Sequence, residues 1–215
     1  MQGQEKDRRP IKSRNTKWAQ DFTHYLVKID ASPNKISVFS ILFSLIGAYA
    51  IVLEPNNSGI WFFAICILLR LLCNLFDGMV AIKMNRNNPL GRIYNEFPDR
   101  ITDTVFIIAA GVACNQLILS VFGAMFAIAT AYVRIFGGSL GFEQDFRGSQ
   151  SKSQRMGVLI GSSLLAQIEL WINDTLYCLV IGLVIITVGS FITCITRTLA
   201  LKEKILEQEE QKNAK

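Results

Sequence analysis

The chain has 215 residues, of which 51% are hydrophobic and 18% charged, with a net charge of +5 and a mean hydropathy of +0.33. An ordinary soluble domain is less apolar and more charged, and here the apolar residues come in long runs. The basic residues are spread over four segments that flank those runs, which speaks against a nucleic-acid surface and for contact with anionic membrane headgroups.

Residues 1–16 are highly charged and almost free of large apolar side chains, and read as a disordered basic tail. They contain no apolar core of a signal peptide. In the next stretch, 17–31, the sequence KWAQDFTHYLVKID sets Trp18, Phe22, Tyr25, Leu26 and Ile29 on one helical face. Such a helix either lies in the membrane interface or packs on the protein's own core; an interfacial amphipathic helix is the expectation. Ser32-Pro33-Asn34 breaks it.

Between residues 32 and 202 the apolar runs predict an all-α integral membrane domain of six transmembrane helices. The run 36–53 has no charge over 18 residues, enough for one crossing. The runs 58–76, 156–172 and 176–196 supply three more. The run 105–133 is too long for one crossing of ~20 residues, and Asn115–Gln116 splits it in two. With the N-terminus in the cytoplasm, 21 of the 22 Lys and Arg residues fall on cytoplasmic segments, the outer turns hold none, and Arg70 alone lies inside a helix. This topology puts both termini in the cytoplasm. The last segment, 203–215, is a charged tail. Five cysteines lie in apolar runs without metal-ligand spacing, and read as small buried hydrophobes.

The stretch NLFDGMVAIKMNRNNPLGRIYNEFPDRITD, residues 74–103, carries the chemistry. Asn74 and Asp77 share a helical face with Arg70. Gly78 and Ala81 are small enough for close helix approach. After the loop and Gly91, Asn95, Asp99 and Asp103 recur every four residues, with Glu96 near one edge of that stripe. Antiparallel packing brings Asp77 towards Asp99. Two readings stand at this point: acids solvated at a helix end, or oxygen ligands for a hard divalent cation. Pro98 suits the first turn of a helix or kinks it. Arg70 calls for a buried partner, Asp77 or a substrate phosphate, rather than exposure to lipid.

These residues resemble the signature of the CDP-alcohol phosphatidyltransferase family, D-x2-D-G-x2-A-R-x8-G-x3-D-x3-D. Asp77, Gly78, Ala81, Gly91 and Asp99 match at the same intervals, while Asn74, Asn95 and Ile82 stand where the pattern has Asp, Asp and Arg. Six predicted helices, the SPN-x-IS stretch before the first of them and a basic loop after the fourth extend the likeness more loosely. The resemblance implies a membrane enzyme of phospholipid biosynthesis that moves a phosphatidyl or phospho-alcohol group from CDP-diacylglycerol or a related CDP-alcohol to an acceptor alcohol, releasing CMP. It implies two divalent cations, Mg2+ or Mn2+, at the four aspartate positions, here Asp77 and Asp99 with Asn74 and Asn95, and Asp99 as base. Asn74 and Asn95 halve the charge of that set, so either one cation is lost or held more weakly, or the neighbouring acids Glu96 and Asp103 restore the charge. Gly78, Ala81 and Gly91 are expected at the nucleotide, with Lys83, Arg86 or Arg92 in place of the missing arginine. Arg134, Arg147, Lys152 and Arg155 resemble the family's basic residues for an anionic acceptor such as glycerol 3-phosphate or inositol phosphate; alone, they also read as topology signals. The resemblance further implies a homodimer, and the expected location is a bacterial inner membrane. The competing readings are a degenerate relative that binds lipid or nucleotide without transfer, and a small-solute transporter, whose broken midplane helices and repeats the sequence does not display.

Overall fold

A computed structural model describes residues 12–56, 58–85 and 91–213, apart from the side chains of Lys12, Ser13, Arg92 and Asn95. Arg86 lies outside the described residues, as do residues 1–11 of the predicted tail. The described chain is all-helical. A short 3-10 helix, Lys12–Asn15, falls within the stretch expected to be disordered. Seven α-helices follow: α1 Lys17–Lys28, α2 Pro33–Leu53, α3 Ser58–Lys83, α4 Gly91–Ala113, α5 Leu117–Ser139, α6 Lys152–Asn173 and α7 Tyr177–Asn213.

Short turns follow α1, α4 and α6, and a longer loop, 140–151, joins α5 to α6. Asp30, Asn85, Asn115 and Asp174 each adopt a positive φ just beyond a helix end. Asn and Asp tolerate this left-handed conformation better than other L-residues with a Cβ. Pro33 opens α2, where its missing N–H costs no helical hydrogen bond. Pro98 lies inside α4 rather than in its first turn. Its ring removes the bond that the Tyr94 carbonyl would otherwise accept.

α2, α3, α5, α6 and α7 are long and apolar enough to cross a membrane. α4 is not among them, because Asn95, Glu96, Asp99, Arg100 and Asp103 occupy its first half. Large apolar side chains lie on the outside of the bundle as well as in its core. α2 buries Ser37, Ser40, Ser44 and Gly47 and exposes Phe39, Leu42, Leu45, Ile46 and Tyr49. α7 buries Gly182, Thr187, Ser190 and Thr193 and exposes Val184, Ile185, Phe191 and Ile192. Small residues at helix contacts and large apolar residues on the outside are the arrangement expected where lipid is the solvent.

α2 packs on α3 and α4, α5 on α4 and α7, and α6 on α3 and α7. Ile51, Phe63, Ile67, Phe106, Ile107, Leu159, Leu183 and Ile186 form the apolar core away from the carboxylates. α1 packs on α3 through Ala19 and Thr23, with Trp18 and Phe22 against the ring of Phe76. It also leaves Trp18, Phe22, Tyr25 and Ile29 substantially exposed. The packing on α3 is that of a helix held on the protein's own core.

Candidate active site

The polar residues of α3 and α4 face each other in antiparallel register. Arg70 of α3 reaches both Asp99 and Asp103 of α4, and Asn74 reaches Asp99. Arg70 is fully buried. Its Nε donates to Thr102 Oγ1 at 2.9 Å, and its Nη2 to Asp103 Oδ1 at 2.6 Å and to Asp99 Oδ1 at 3.3 Å. The expected buried partner is thus present, but it is the Asp99–Asp103 pair and not Asp77. Helical side chains lean towards their N-terminus, which carries Arg70 away from Asp77 and towards the deeper turns of α4.

Asp99 is buried, and both of its carboxylate oxygens have partners. Oδ1 accepts from Asn74 Nδ2 at 3.3 Å as well as from Arg70, and Oδ2 contacts the ammonium of Lys152. Asp103 is held from both sides, by Arg70 and by Arg155 Nη2 at 3.0 Å. Arg155 in turn donates to the Gln150 carbonyl at 2.7 Å and approaches Thr130 Oγ1 at 3.4 Å. Asp77 is buried and accepts a 2.6 Å hydrogen bond from Ser37 Oγ of α2. It lies within electrostatic range of Asp99 and Lys152.

Local sequence fixes where the cations enter. In Ser151-Lys152-Ser153-Gln154-Arg155, the Gln154 side chain accepts from the backbone N–H and the hydroxyl of Ser151, closing a capping box at the start of α6. Lys152 and Arg155, three residues apart, then share a face towards α3 and α4. The preceding loop is tied to α7. Gly148 has a φ of 114° and sits against Thr193, where an added Cβ would lie 2.3 Å from Cγ2. Arg197 holds the carbonyls of Arg147 and Thr130 at 2.8 and 2.7 Å.

The remaining expected residues disperse. Glu96 does not converge on Asp77 and Asp99: its carboxylate takes Arg134 Nη2 at 2.7 Å on each oxygen and Arg100 at 3.1 Å. Arg134 also donates to Gln144. Arg147 is exposed and pairs with Asp145 at 2.9 Å. Burial opposes ionisation of Asp145, but the hydrogen bonds from Arg147 outweigh it and hold that carboxyl below its ordinary range. The four basic residues expected at the acceptor therefore serve three places: Lys152 and Arg155 the buried acids, Arg134 Glu96, and Arg147 the loop surface. Gly78 and Ala81 lie partly buried on α3, Gly91 opens α4, and Lys83 is exposed, as is Ile82 at the place of the pattern's arginine. The side chains of Asn95 and Arg92 lie outside the described residues.

Ser37, Thr102, Thr130, Arg14 and Arg197 also contact this region and lie outside the sequence pattern. Arg14, in the 3-10 helix, reaches α3 so closely that a Cβ on Gly78 would lie 3.5 Å from its Nη2. Only Ser37 carried a signal, as the last residue of the SPN-x-IS stretch.

The model of the CDP-alcohol phosphatidyltransferase family matches residues 31–212. This chain belongs to that family. Among curated proteins the chain is similar to an uncharacterized protein of Aquifex aeolicus, 27% identical over 192 residues that cover 86% of this chain and 90% of that one. It is also similar to the phosphatidylinositol phosphate synthase of Streptomyces avermitilis, 24% identical and covering 86% and 78% of the two chains. Among solved structures, the phosphatidylinositol phosphate synthase of Mycobacterium tuberculosis shares the fold. Its complex with manganese and citrate superposes with a TM-score of 0.71 at 16% identity, covering 84% of this chain and 87% of that one. Its form with bound CDP-DAG gives 0.70, covering 84% and 92%. Family membership and the five apolar spans make this an integral membrane protein, a transferase of phosphatidyl groups from CDP-linked lipid in phospholipid biosynthesis.

The donors at this phosphatidyltransferase site do not fit two divalent cations held by four carboxylates. Two of those positions are Asn74 and Asn95, Asp99 already faces Arg70 and Lys152, and Asp103 faces two arginines. Among the described residues no three His, Cys, Asp or Glu side chains gather in a metal-binding group. One hard cation does fit. Asp77 has a neutral hydroxyl as its side-chain hydrogen-bond partner. Asn74 turns its N–H towards Asp99, which leaves its carbonyl oxygen as a neutral ligand of the kind Mg2+ and Mn2+ accept.

Proposed function

We propose that the chain transfers the phosphatidyl group of CDP-diacylglycerol, or the phospho-alcohol group of a related CDP-alcohol, to a small phosphorylated alcohol and releases CMP. The observation that carries this reading is Asp99: it keeps the register of the family's base, and its carboxylate is held by three side chains of α3 and α6. Asp99 removes the proton of the attacking hydroxyl. Arg70 and Asn74 orient it, and Lys152 supplies positive charge beside the reacting phosphate. Asp77 and the Asn74 oxygen would hold one Mg2+ or Mn2+, which would supply positive charge for the phosphate oxygens and the leaving CMP. Gly78, Ala81 and Gly91 are assigned to the nucleotide, with Lys83 and Arg92 for its phosphates. The surrounding cations, Arg134 and Arg147 included, favour an anionic acceptor through charge-assisted hydrogen bonds.

The positive-inside distribution supports six crossings, with the apolar half of α4 completing the sixth, and both termini in the cytoplasm of a bacterial inner membrane. α1 lies at the interface, and the chain works as a homodimer. Asn74 and Asn95 favour one competing reading, a relative that binds lipid or nucleotide without transfer. The deciding measurement is CMP release by purified protein given CDP-diacylglycerol, Mg2+ or Mn2+, and a panel that includes glycerol 3-phosphate and inositol phosphate. One acceptor is expected to support release, and Asp99→Asn to lower it by about 10²–10⁴-fold. Folded protein that releases no CMP with any acceptor fits the competing reading instead.

A further inference from the structure

Lys152 is placed where a lysine is costly. It is the first residue of α6, at the positive end of the helix dipole, and only 19% of its side chain is exposed. A buried cation needs a specific partner, and its ammonium finds one in Asp99 Oδ2. The opposite oxygen of the same carboxylate faces Arg70 Nη2 and the N–H edge of Asn74. Asp103, one turn deeper, is shared between Arg70 and Arg155. Three buried carboxylates thus face three largely buried cations, and no surplus negative charge is left on the Asp99 side. The sequence matches this arrangement: Asn74 and Asn95 remove two charges that the family pattern supplies.

We propose that this site takes a single divalent cation, on the Asp77 side, and that the Lys152 ammonium on Asp99 fills the role of a second one. The proposal rests on the transferase reading above. Like-charge repulsion from Lys152 keeps a second divalent ion out, while a monovalent ammonium balances what the two asparagines leave.

The test counts Mn2+ on the purified full-length chain by electron paramagnetic resonance of the free ion during titration. One tightly bound Mn2+ per chain is expected. In Lys152→Met, Asp99 loses its ammonium, and Mn2+ is expected to bind tighter by about tenfold or more, since a like charge a few ångströms away is removed. Two ions on the unaltered chain, none, or an unchanged affinity in Lys152→Met overturns the proposal. The count on the unaltered chain decides even if the variant fails to fold. CMP release from the same preparations separates the two claims: two Mn2+ with CMP release sinks the single-cation inference alone, and one Mn2+ without CMP release sinks the transferase reading alone.

Discussion

Arg70 shows how one residue organises the site. Breaking a buried ion pair by removing one partner costs more than removing both, because the survivor is left buried and uncompensated. Arg70→Met leaves Asp99 without one donor and Asp103 with Arg155 alone, and is expected to lower stability by about 3–5 kcal/mol. Asp103→Asn added to Arg70→Met should recover part of that loss. Thermal unfolding of the single and double variants in detergent checks both statements; equal or lower stability of the double variant would contradict the shared role of Asp103. Arg70→Lys should not restore the original stability, because one ammonium cannot reproduce the donors aimed at Thr102, Asp99 and Asp103. The polar character and helical spacing of these residues were legible in the sequence. The partner of Arg70 was not, because it depends on side-chain lean and on the register between two helices.

At the scale of elements, the helices meet through small residues, and the sites of closest approach are specific. A Cβ on Gly123 of α5 would lie 2.7 Å from Thr187 Oγ1 of α7 and 3.4 Å from Ile107 of α4. Gly123→Ala is therefore expected to destabilise the bundle by about 1–3 kcal/mol through overpacking. Gly157 of α6 has open space around its Cβ position, so Gly157→Ala should stabilise by about 0.5–1 kcal/mol, the usual helical gain over glycine. Melting temperatures of the two variants should move in opposite directions. Helix ends were largely legible, since Asn115 and Asn173–Thr175 mark turns by local chemistry. Another end is closed from a distance within one hairpin. Glu169 of α6 accepts the backbone N–H groups of Tyr177 and Cys178 at 2.8 and 2.7 Å, satisfying donors that the start of α7 would otherwise leave unpaired. No local spacing signals that contact.

For the whole molecule, the proposed topology puts the turn between α4 and α5 outside and the end of α7 inside. In a chain with its five cysteines replaced, Gln116→Cys should react with an impermeant thiol reagent added to intact cells. Lys202→Cys should react only after the membrane is opened. Labelling of Lys202→Cys from outside would reverse the orientation. The helices, their apolar runs, the clustering of basic residues on one set of connecting segments and the register of Asp77, Gly91 and Asp99 were legible in the sequence, because periodicity, turn residues and spacing are properties of neighbours in the chain. Which charge neutralises which depends on helix packing. It gave Asp99 to Lys152 and Arg70, Asp103 to Arg70 and Arg155, and Glu96 to Arg134, and it set Ser37 on Asp77. The partners in each pair come from different helices, and a buried charge takes the opposite charge that helix packing brings within reach, whatever its distance along the chain.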